Sequence, residues 1–263
     1  MARRYRRGVI AVNETFSVVD EGDGWLVLNK GAPLIVHPAN DCCDEPSLLS
    51  GVEELLAYDL INGAKLSIIN RLDRETSGIV LMATRKPVAR ELARAMERRE
   101  ISKVYEAVVW GWPEWDELTV DEPILRQGDV MGSRIYVKQM VHEGGKASYT
   151  HLKVLKRMIV RGEKMSHLEI LPRTGRMHQI RVHCAHVGHS IVGDKIYGLS
   201  EDVYLEFIQT GMNEKMLNSL VMERHALHAT VMEVEVGGEM NKWRAQLSPD
   251  IVELLKSGKE FEI

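Results

Sequence analysis

Residues 65–84 read KLSIINRLDRETSGIVLMAT and place one polar turn between two short apolar runs. The runs, residues 65–69 and 79–84, are rich in aliphatic side chains and therefore predict two strands. The turn, residues 70–78, holds one aspartate among arginines, two hydroxyl residues and a closing glycine. A carboxylate held in this way can attack an electrophilic carbon or exchange a proton, so we expect chemistry at Asp73. Taken alone, the turn also allows a simpler interpretation, in which Asp73 is a structural ion-pair partner.

The rest of the chain is predicted to contain many strands and few helices. Patterns rich in β-forming residues predict strands at residues 25–30, 103–110, 147–156, 165–171, 225–236 and 242–247. Helical spacing predicts helices at residues 47–59 with Ser47 as N-cap, at 86–98, at 177–187, and after Ser248 as a second N-cap. Because strands and helices do not alternate regularly, we predict an α+β fold with a mixed, largely antiparallel central sheet flanked by helices and loops.

The composition fits a globular protein of 263 residues that is 44% hydrophobic and 27% charged. The longest apolar runs are far shorter than the ~20 residues that a bilayer span needs. No apolar signal-peptide core follows the basic residues 3–7. We therefore expect a cytoplasmic protein without membrane association. Its three cysteines, Cys42, Cys43 and Cys184, form no Cys-x-x-Cys pair, so we expect neither a disulfide framework nor a zinc knuckle.

The net charge of -4 argues against a surface coated all over with nucleic acid. Basic residues nevertheless cluster at residues 3–7, 85–99 and 173–181. Such clusters can contact phosphates on an otherwise acidic protein.

Several segments follow one another in an order that is informative as a set. RLDRETSG stands at residues 71–78, Lys103-Val104-Tyr105 follows, and TGRMHQIRVH and GHSIVGDKIYG stand at residues 174–183 and 188–198. Shorter marks accompany them at Asn29-Lys30, His37-Pro38 and Leu227-His228-Ala229. Over about residues 18–255 this set resembles the RluA-type RNA pseudouridine synthases. The chain departs from the family pattern at Asn70, Gly31 and Ser190, where histidine, proline and proline are usual.

The resemblance implies an enzyme that isomerises specific uridines of structured RNA, ribosomal or transfer, to pseudouridine. The reaction breaks the bond from C1' to N1, turns the base and rejoins it through C5, so we expect no cofactor. The resemblance gives the role of catalytic carboxylate to Asp73 and that of its cationic partner to Arg181, since a guanidinium keeps a buried carboxylate ionised. It gives Tyr105 the role of stacking on the uracil and assisting loss of the C5 proton.

Substrate contacts follow from the same resemblance, because a target uridine must be turned out of its stack. Arg71 matches the family arginine that fills the vacated space, and Leu72 beside it is also expected to bind the substrate, as are Arg173, Arg176 and His178. Arg173 and Arg176 are expected to hold the phosphodiester backbone, and His178 shares a helix edge with Arg181. The arginines of residues 86–98 are open to both a phosphate-binding and a solvated role.

The predicted organisation is a basic N-terminal arm, residues 1–17, and a pseudouridine synthase domain, residues 18–263. The arm is too short for the additional RNA-binding domain that some relatives carry, so we expect none. The sequence allows two roles for the arm: it could contact RNA, or it could be a solvated tail. Nothing in the sequence requires more than a monomer.

The sequence also allows two other classes of function. A metal enzyme is suggested by the crowding of His178, His183, His186, His189 and Asp194. Their spacing is poor for a metal site and no general base stands beside them, so we expect no metal. A catalytically silent RNA-binding module of the same fold is the second alternative. It would not demand an aspartate facing anionic RNA.

Overall fold

A computed structural model describes residues 15–38 and 45–260, and the apolar runs of these residues form an eleven-stranded sheet and a separate two-stranded one. The strands are β1 (Phe16–Gly22), β2 (Trp25–Lys30), β3 (Ser67–Ile68), β4 (Ser77–Ala83), β5 (Ser102–Trp110), β6 (Glu117–Asp121), β7 (Ile124–Arg126), β8 (Gln139–Val141), β9 (Tyr149–Val160), β10 (Glu163–Pro172), β11 (Leu227–Val236), β12 (Glu239–Arg244) and β13 (Lys259–Glu260). The α-helices of this part of the chain are α1 (Leu48–Leu55), α2 (Ala57–Ile61), α3 (Lys86–Glu97), α4 (Gln179–His186), α5 (Glu201–Thr210), α6 (Glu214–Leu220) and α7 (Pro249–Ser257).

The main path of the large sheet runs β1-β2-β4-β11-β5-β10-β9-β13, and β3, β12 and β6 pair with β4, β11 and β9. The pairing of β4 with β11 is parallel, and the other described pairings are antiparallel. The predicted α+β class with a mixed, largely antiparallel sheet is therefore confirmed. The parallel pair sets Ser77 beside His228 and Gly78 beside Ala229. As a result, the turn that precedes β4 lies near the middle of the sheet.

Strand β4 is buried along its whole length because the sheet is covered on both faces. Ile79 and Leu81 pack with Leu92 of α3. Val80 and Met82 point to the other face and join a cluster that contains residues of α1. This alternation is the period of two expected of a strand. Each such side chain contributes roughly 1.5–3 kcal/mol when fully buried, so β4 fixes the turn before it firmly.

Some predicted elements differ from the observed ones. Ser47 caps α1 as predicted, since its hydroxyl accepts from the Ser50 amide at 3.1 Å, but the helix predicted for 47–59 breaks at Leu56. The strand predicted for 65–69 is reduced to β3. Its ladder is interrupted because the Asn70 amide donates to Ile79 O at 3.1 Å and accepts from Leu81 N at 2.8 Å.

The helix predicted for 177–187 begins at Gln179, because His178 adopts a left-handed conformation with φ 56°. Met177 was predicted on its apolar face and instead lies before the helix, half-exposed. Ser248 does stand at the N-cap position of α7, but it makes no side-chain cap. Its hydroxyl accepts instead from Arg224 at 2.6 Å.

The sequence patterns predict none of β1, β6, β7, β8, β13, α5 and α6, and they place β12 three residues late. Strand β1 begins at Phe16, so residues 16 and 17 of the predicted arm are part of the sheet. Residues 1–14 of that arm, like Cys42 and Cys43, lie outside the described residues. Within the part that is described, Cys184 is a buried thiol, and no helix combines the length and the apolar character of a membrane span.

Candidate active site

The turn that carries Asp73 is held by hydrogen bonds to several distant segments. Arg74 O accepts from Leu34 N at 2.9 Å and from the Lys30 ammonium at 3.2 Å. Thr76 Oγ1 lies 2.7 Å from His225 Nε2. Because contacts of this kind fix the backbone on both sides of residue 73, the carboxylate has a defined position before substrate arrives.

Gly78 closes the turn where two strands come unusually close. Its φ of +110° is a conformation that L side chains rarely adopt, and an added Cβ would lie 2.3 Å from Ala229 O. Ala229 is also the register partner of Tyr105 on β5. Glycine therefore lets three strands converge, and Tyr105 lies two strands from the end of the Asp73 turn.

Asp73 is part of a chain of ionic hydrogen bonds. Its Oδ2 accepts from Arg181 Nη1 at 3.0 Å, and its side chain is 30% exposed to the cleft. The same guanidinium donates to both carboxylate oxygens of Asp194, at 2.6 and 2.9 Å. Asp73 and Asp194 thus share one guanidinium, and of these two carboxylates only Asp73 is open to solvent. The predicted partnership of Asp73 and Arg181 is present in the structure.

Asp194 and Arg181 are both buried, and each stabilises the charge of the other. Burial alone would raise the pKa of Asp194, but Arg181 and the amides of Ile196 and Tyr197 hold it below its ordinary value. Burial would likewise lower the pKa of Arg181, but the charges of Asp194 and then Asp73 raise it above the usual range. The guanidinium is therefore permanently charged beneath Asp73.

Tyr105 lines the same cleft as Asp73 and packs at the edge of two core clusters. Burial, and then the negative charge of Asp73, raise its pKa above its ordinary value. The hydroxyl is consequently protonated at neutral pH. Tyr105 thus presents an aromatic ring and a proton donor to whatever occupies the cleft.

His178 lies beside the ion pair, with Nε2 3.9 Å from Asp73 Oδ2. Its Nδ1 lies 2.9 Å from the Tyr197 hydroxyl, which also accepts from Gln139 N. Burial, followed by the charge of Arg181, lowers the pKa of His178 to about 4. The imidazole is therefore neutral at pH 7 and acts there as a hydrogen-bonding group.

Gln179 and Lys30 are among the buried residues of the site to which the sequence patterns give no role. The Gln179 amide accepts from Thr174 Oγ1 and Arg176 N and donates to Tyr149 O and Thr150 Oγ1, which fixes the loop before α4. The Lys30 ammonium is fully buried and also donates to Gly31 O and Leu34 O. Burial, and then the charge of Arg224, lower its pKa to about 7, although Asp73 acts in the opposite direction. The short Asn29-Lys30 segment, part of the family resemblance, is the sequence feature that pointed to Lys30.

The cleft around Asp73 has a volume of about 2320 Å³. Arg71 and Arg176 line it, and their guanidinium groups bond His37 Nε2 at 3.1 Å and Ala147 O at 3.3 Å. Leu72 also lines the cleft, but its side chain is 9% exposed and packs in the core. Arg173 is exposed, lies over the Tyr149 ring at 5.0 Å, and is not part of the lining. Helix α3 reaches the cleft through Met96, not through its arginines.

The side chains weighed as metal ligands are occupied separately. His183 contacts Thr150 Oγ1 and Glu122 O, His189 contacts Trp110 O, and Asp194 binds Arg181. Over residues 15–38 and 45–260, no group of three or more His, Cys, Asp or Glu has the arrangement of a metal site.

Comparisons with known proteins point in one direction. A family model described as RNA pseudouridylate synthase matches residues 24–186. Ribosomal large subunit pseudouridine synthase D of Haemophilus ducreyi is 32% identical over 252 residues, covering 94% of this chain and 72% of that protein. The protein of the same name from Escherichia coli (strain K12) is 33% identical over 244 residues, covering 91% and 69%.

Solved structures share the fold. Human RNA Pseudouridylate Synthase Domain Containing 1 matches with a TM-score of 0.71 and 23% identity over 94% of this chain and 89% of that chain. Human RNA Pseudouridylate Synthase Domain Containing 4 matches with a TM-score of 0.68 and 21% identity, covering 92% of each chain.

Proposed function

Because the chain belongs to the RNA pseudouridylate synthase family, and is therefore an isomerase that converts uridine in RNA to pseudouridine, we propose that Asp73 is its catalytic carboxylate. The observation that carries the proposal is the 3.0 Å contact between Asp73 and Arg181 at the surface of the large cleft. A carboxylate that is both partly exposed and paired with a buried cation can stay ionised while it meets an uncharged base.

Asp73 acts on an everted uridine in this proposal. Three first steps fit a single carboxylate beside the nucleoside: addition to the uracil ring, attack at ribose C1', and removal of a ribose proton. Each ends with the bond from C1' to N1 broken and a bond from C1' to C5 formed. Since nothing is oxidised or hydrolysed overall, we propose that no cofactor takes part. The catalytically silent alternative is not retained, because this chain matches synthases over most of their length.

Tyr105 and Arg181 are the two other residues that we assign to catalysis. The Tyr105 ring is suited to stack on the uracil. Because its hydroxyl is protonated, it can assist loss of the C5 proton only as a relay that gives up its own proton as it accepts that one. Arg181 compensates the charge of Asp73. We assign Arg71 and Arg176 to substrate binding in the cleft, with His178 as a neutral neighbour of the reacting base. The exposed position of Arg173 over the Tyr149 ring favours a contact with phosphate outside the cleft. The burial of Leu72 favours a role in supporting Asp73 from the core.

The proposed substrate is ribosomal RNA of the large subunit, as the names of the relatives suggest. Transfer RNA is the second candidate from the sequence analysis. We place the protein in the cytoplasm, as a monomer, and keep an N-terminal arm ahead of the catalytic domain, ending before Phe16, where β1 begins, rather than at residue 17. Light scattering of the purified protein tests the monomer.

The experiment combines mapping with a substitution. Transcripts of large-subunit ribosomal RNA and of transfer RNA are incubated with the protein, and pseudouridines are located at nucleotide resolution. Conversion is expected at a small number of uridines in ribosomal RNA. Asp73→Asn is expected to reduce it at least ~100-fold. Asp59→Asn, an exposed aspartate outside the cleft, is the matched control. Full conversion by Asp73→Asn would disprove the catalytic assignment, and conversion of transfer RNA alone would disprove the substrate.

A further inference from the structure

The segment of residues 201–222, which comprises α5 and α6, contributes a wall of the cleft that no step of the proposed chemistry uses. Seven of its residues line the cleft, and all seven have apolar or aromatic side chains. They are Tyr204, Phe207, Ile208, Met212, Leu217, Val221 and Met222. Ile208 is 57% exposed. We name this set the apolar wall. An exposed apolar surface inside a functional cleft commonly marks a contact with a ligand.

The apolar wall stands close to the catalytic turn. The Phe207 ring lies 4.5 Å from the Lys195 ammonium, which in turn bonds Glu75 Oε1 at 2.5 Å. Glu75 is two residues from Asp73. A ligand whose uridine reaches Asp73 can therefore extend to Phe207, which lines the same cleft.

The segment is also fixed in place. Glu201 at the start of α5 bonds the Lys138 ammonium at 2.9 Å, and Asp202 bonds Arg134 at 2.8 Å. At the other end of the segment, Asn213 caps α6, and Met216 and Leu220 of that helix are buried. A surface held at both ends is prepared to receive a ligand without first ordering itself.

The charges of this segment decide which part of RNA it can meet. It holds four carboxylates and one lysine, none of which lines the cleft. The cations that touch the segment are already paired: Lys195, against Phe207, bonds Glu75, and Lys138 and Arg134 bond Glu201 and Asp202. Phosphates would therefore find no unpaired cation among the described residues of this wall. Arg71, Arg161 and Arg176 line other parts of the same cleft and can hold the phosphodiester backbone. The faces of unstacked bases, by contrast, bind well to aromatic and apolar side chains.

We propose that the apolar wall, chiefly Phe207 and Ile208, binds the unstacked base of a nucleotide adjacent to the target uridine. This inference rests on the proposed function of the cleft and adds a determinant of substrate choice to it. A nucleotide next to an everted uridine has lost one stacking partner. The wall replaces that partner, so RNA whose neighbouring nucleotide stacks poorly elsewhere is favoured.

The test uses the ribosomal stem-loop transcript that mapping shows to be modified. Its binding is measured in an Asp73→Asn background, where no turnover interferes. Adding Phe207→Ala is expected to weaken binding about tenfold, and Ile208→Ala about fivefold. Ile61→Ala is the matched control, since Ile61 is 85% exposed and does not line the cleft. It is expected to leave the affinity unchanged. Thermal unfolding of each variant shows that the fold is retained.

A second measurement separates base stacking from a general loss of shape. Each nucleotide beside the target is replaced in turn by an abasic one. At one position, the abasic RNA should bind the Asp73→Asn protein about tenfold less tightly, but bind the variant that also carries Phe207→Ala within twofold of the unmodified RNA. Equal losses in both proteins at every position would overturn the inference.

Other outcomes are equally decisive. If the native chain converts uridine while Ile208→Ala and Phe207→Ala bind RNA like the Ile61 control, the inference is wrong and the proposed function stands. If the native chain converts no RNA, the proposed function itself fails. If the chain is a dimer that Phe207→Ala and Ile208→Ala dissociate, the wall is a contact between copies and the inference is wrong.

Discussion

Replacing Arg181 by methionine should lower the free energy of unfolding and abolish conversion of uridine. The two effects can be measured separately. Methionine has a similar length but no charge, so Asp194 would stay buried, 2% exposed, without its guanidinium. Removing one partner of a buried ion pair costs roughly 3–5 kcal/mol. Two backbone amides, at 2.9 and 3.1 Å, would still bond Asp194 Oδ1. We therefore expect the free energy of unfolding, measured by urea titration, to fall by about 3 kcal/mol.

The double variant Arg181→Met with Asp194→Asn distinguishes the structural from the catalytic contribution. It removes both buried charges, while the asparagine oxygen can still accept from the two amides. About 2 kcal/mol of stability should return, because no uncompensated charge stays buried. Conversion of uridine should stay absent, since Asp73 still lacks the cation 3.0 Å away.

A control substitution and two contrary results complete this test. Arg85→Met removes an exposed arginine that pairs with Asp23, and it should change stability by less than about 1 kcal/mol. If Arg181→Met unfolds at the urea concentration of the native protein, the buried pair does not support the fold. If the double variant isomerises uridine at the native rate, Arg181 does not assist Asp73.

Three further predictions concern the scaffold of the site. Gly78→Ala should destabilise the protein by at least ~2 kcal/mol because its Cβ would collide with backbone, whereas Gly63→Ala, which also has positive φ but open space, should cost about 1 kcal/mol in the same urea titration. Burial, and then a nearby guanidinium, lower the pKa of His228 from 6.5 to about 4. As the pH falls, His228 therefore binds a proton in the unfolded chain before it does so in the folded chain. The free energy of unfolding is not reduced by this residue above pH 6.5, and it falls by ~3 kcal/mol between pH 6.5 and pH 4. In His228→Gln, the free energy of unfolding should lack this dependence on pH. Lys195→Met should cost ~2 kcal/mol by leaving the Glu75 carboxylate without its ammonium, and adding Glu75→Gln should restore most of it; a larger loss in the double variant would contradict the pairing.

The strands that could be predicted from sequence are those with the strongest burial. Residues 79–83 are apolar throughout, and β4 is buried on both faces, so the run itself carried the information. Strand β1 was missed because its burial pattern shows one fully buried residue, Phe16, among mainly exposed ones. Helices α5 and α6 were missed for a related reason. Their apolar side chains face an open cleft, which leaves few of them buried and weakens the periodic signal.

The candidate site shows a similar division between what a motif carries and what packing decides. The proximity of Asp73 to Arg181, 108 residues apart in sequence, followed from the resemblance and is present in the structure. Asp194 had been considered only as a metal ligand, and its actual partner is Arg181. That pairing depends on how the loop after α4 folds back, which no local pattern encodes. The same holds for Lys30, whose burial is set by the turn containing Arg74.

Four basic side chains from four different segments hold the catalytic turn on the side away from the cleft opening; three are cations, and Lys30 is partly charged at neutral pH because its pKa is lowered to about 7. Arg181 bonds Asp73 itself, Lys195 bonds the Glu75 side chain, and Lys30 and Arg224 donate to the backbone carbonyls of residues 74 and 75 at 3.2 and 2.9 Å. Uncharged hydrogen-bond donors could also bond the turn, but they would leave Asp73 as an isolated negative charge facing anionic RNA. Cations do both tasks, because their hydrogen bonds orient the backbone and the side chains of the turn while their charge reduces the repulsion between the Asp73 carboxylate and approaching phosphates. Lys30 and Arg224 are buried, so their charge acts on Asp73 through the turn, and they are not free to bind the RNA phosphates themselves.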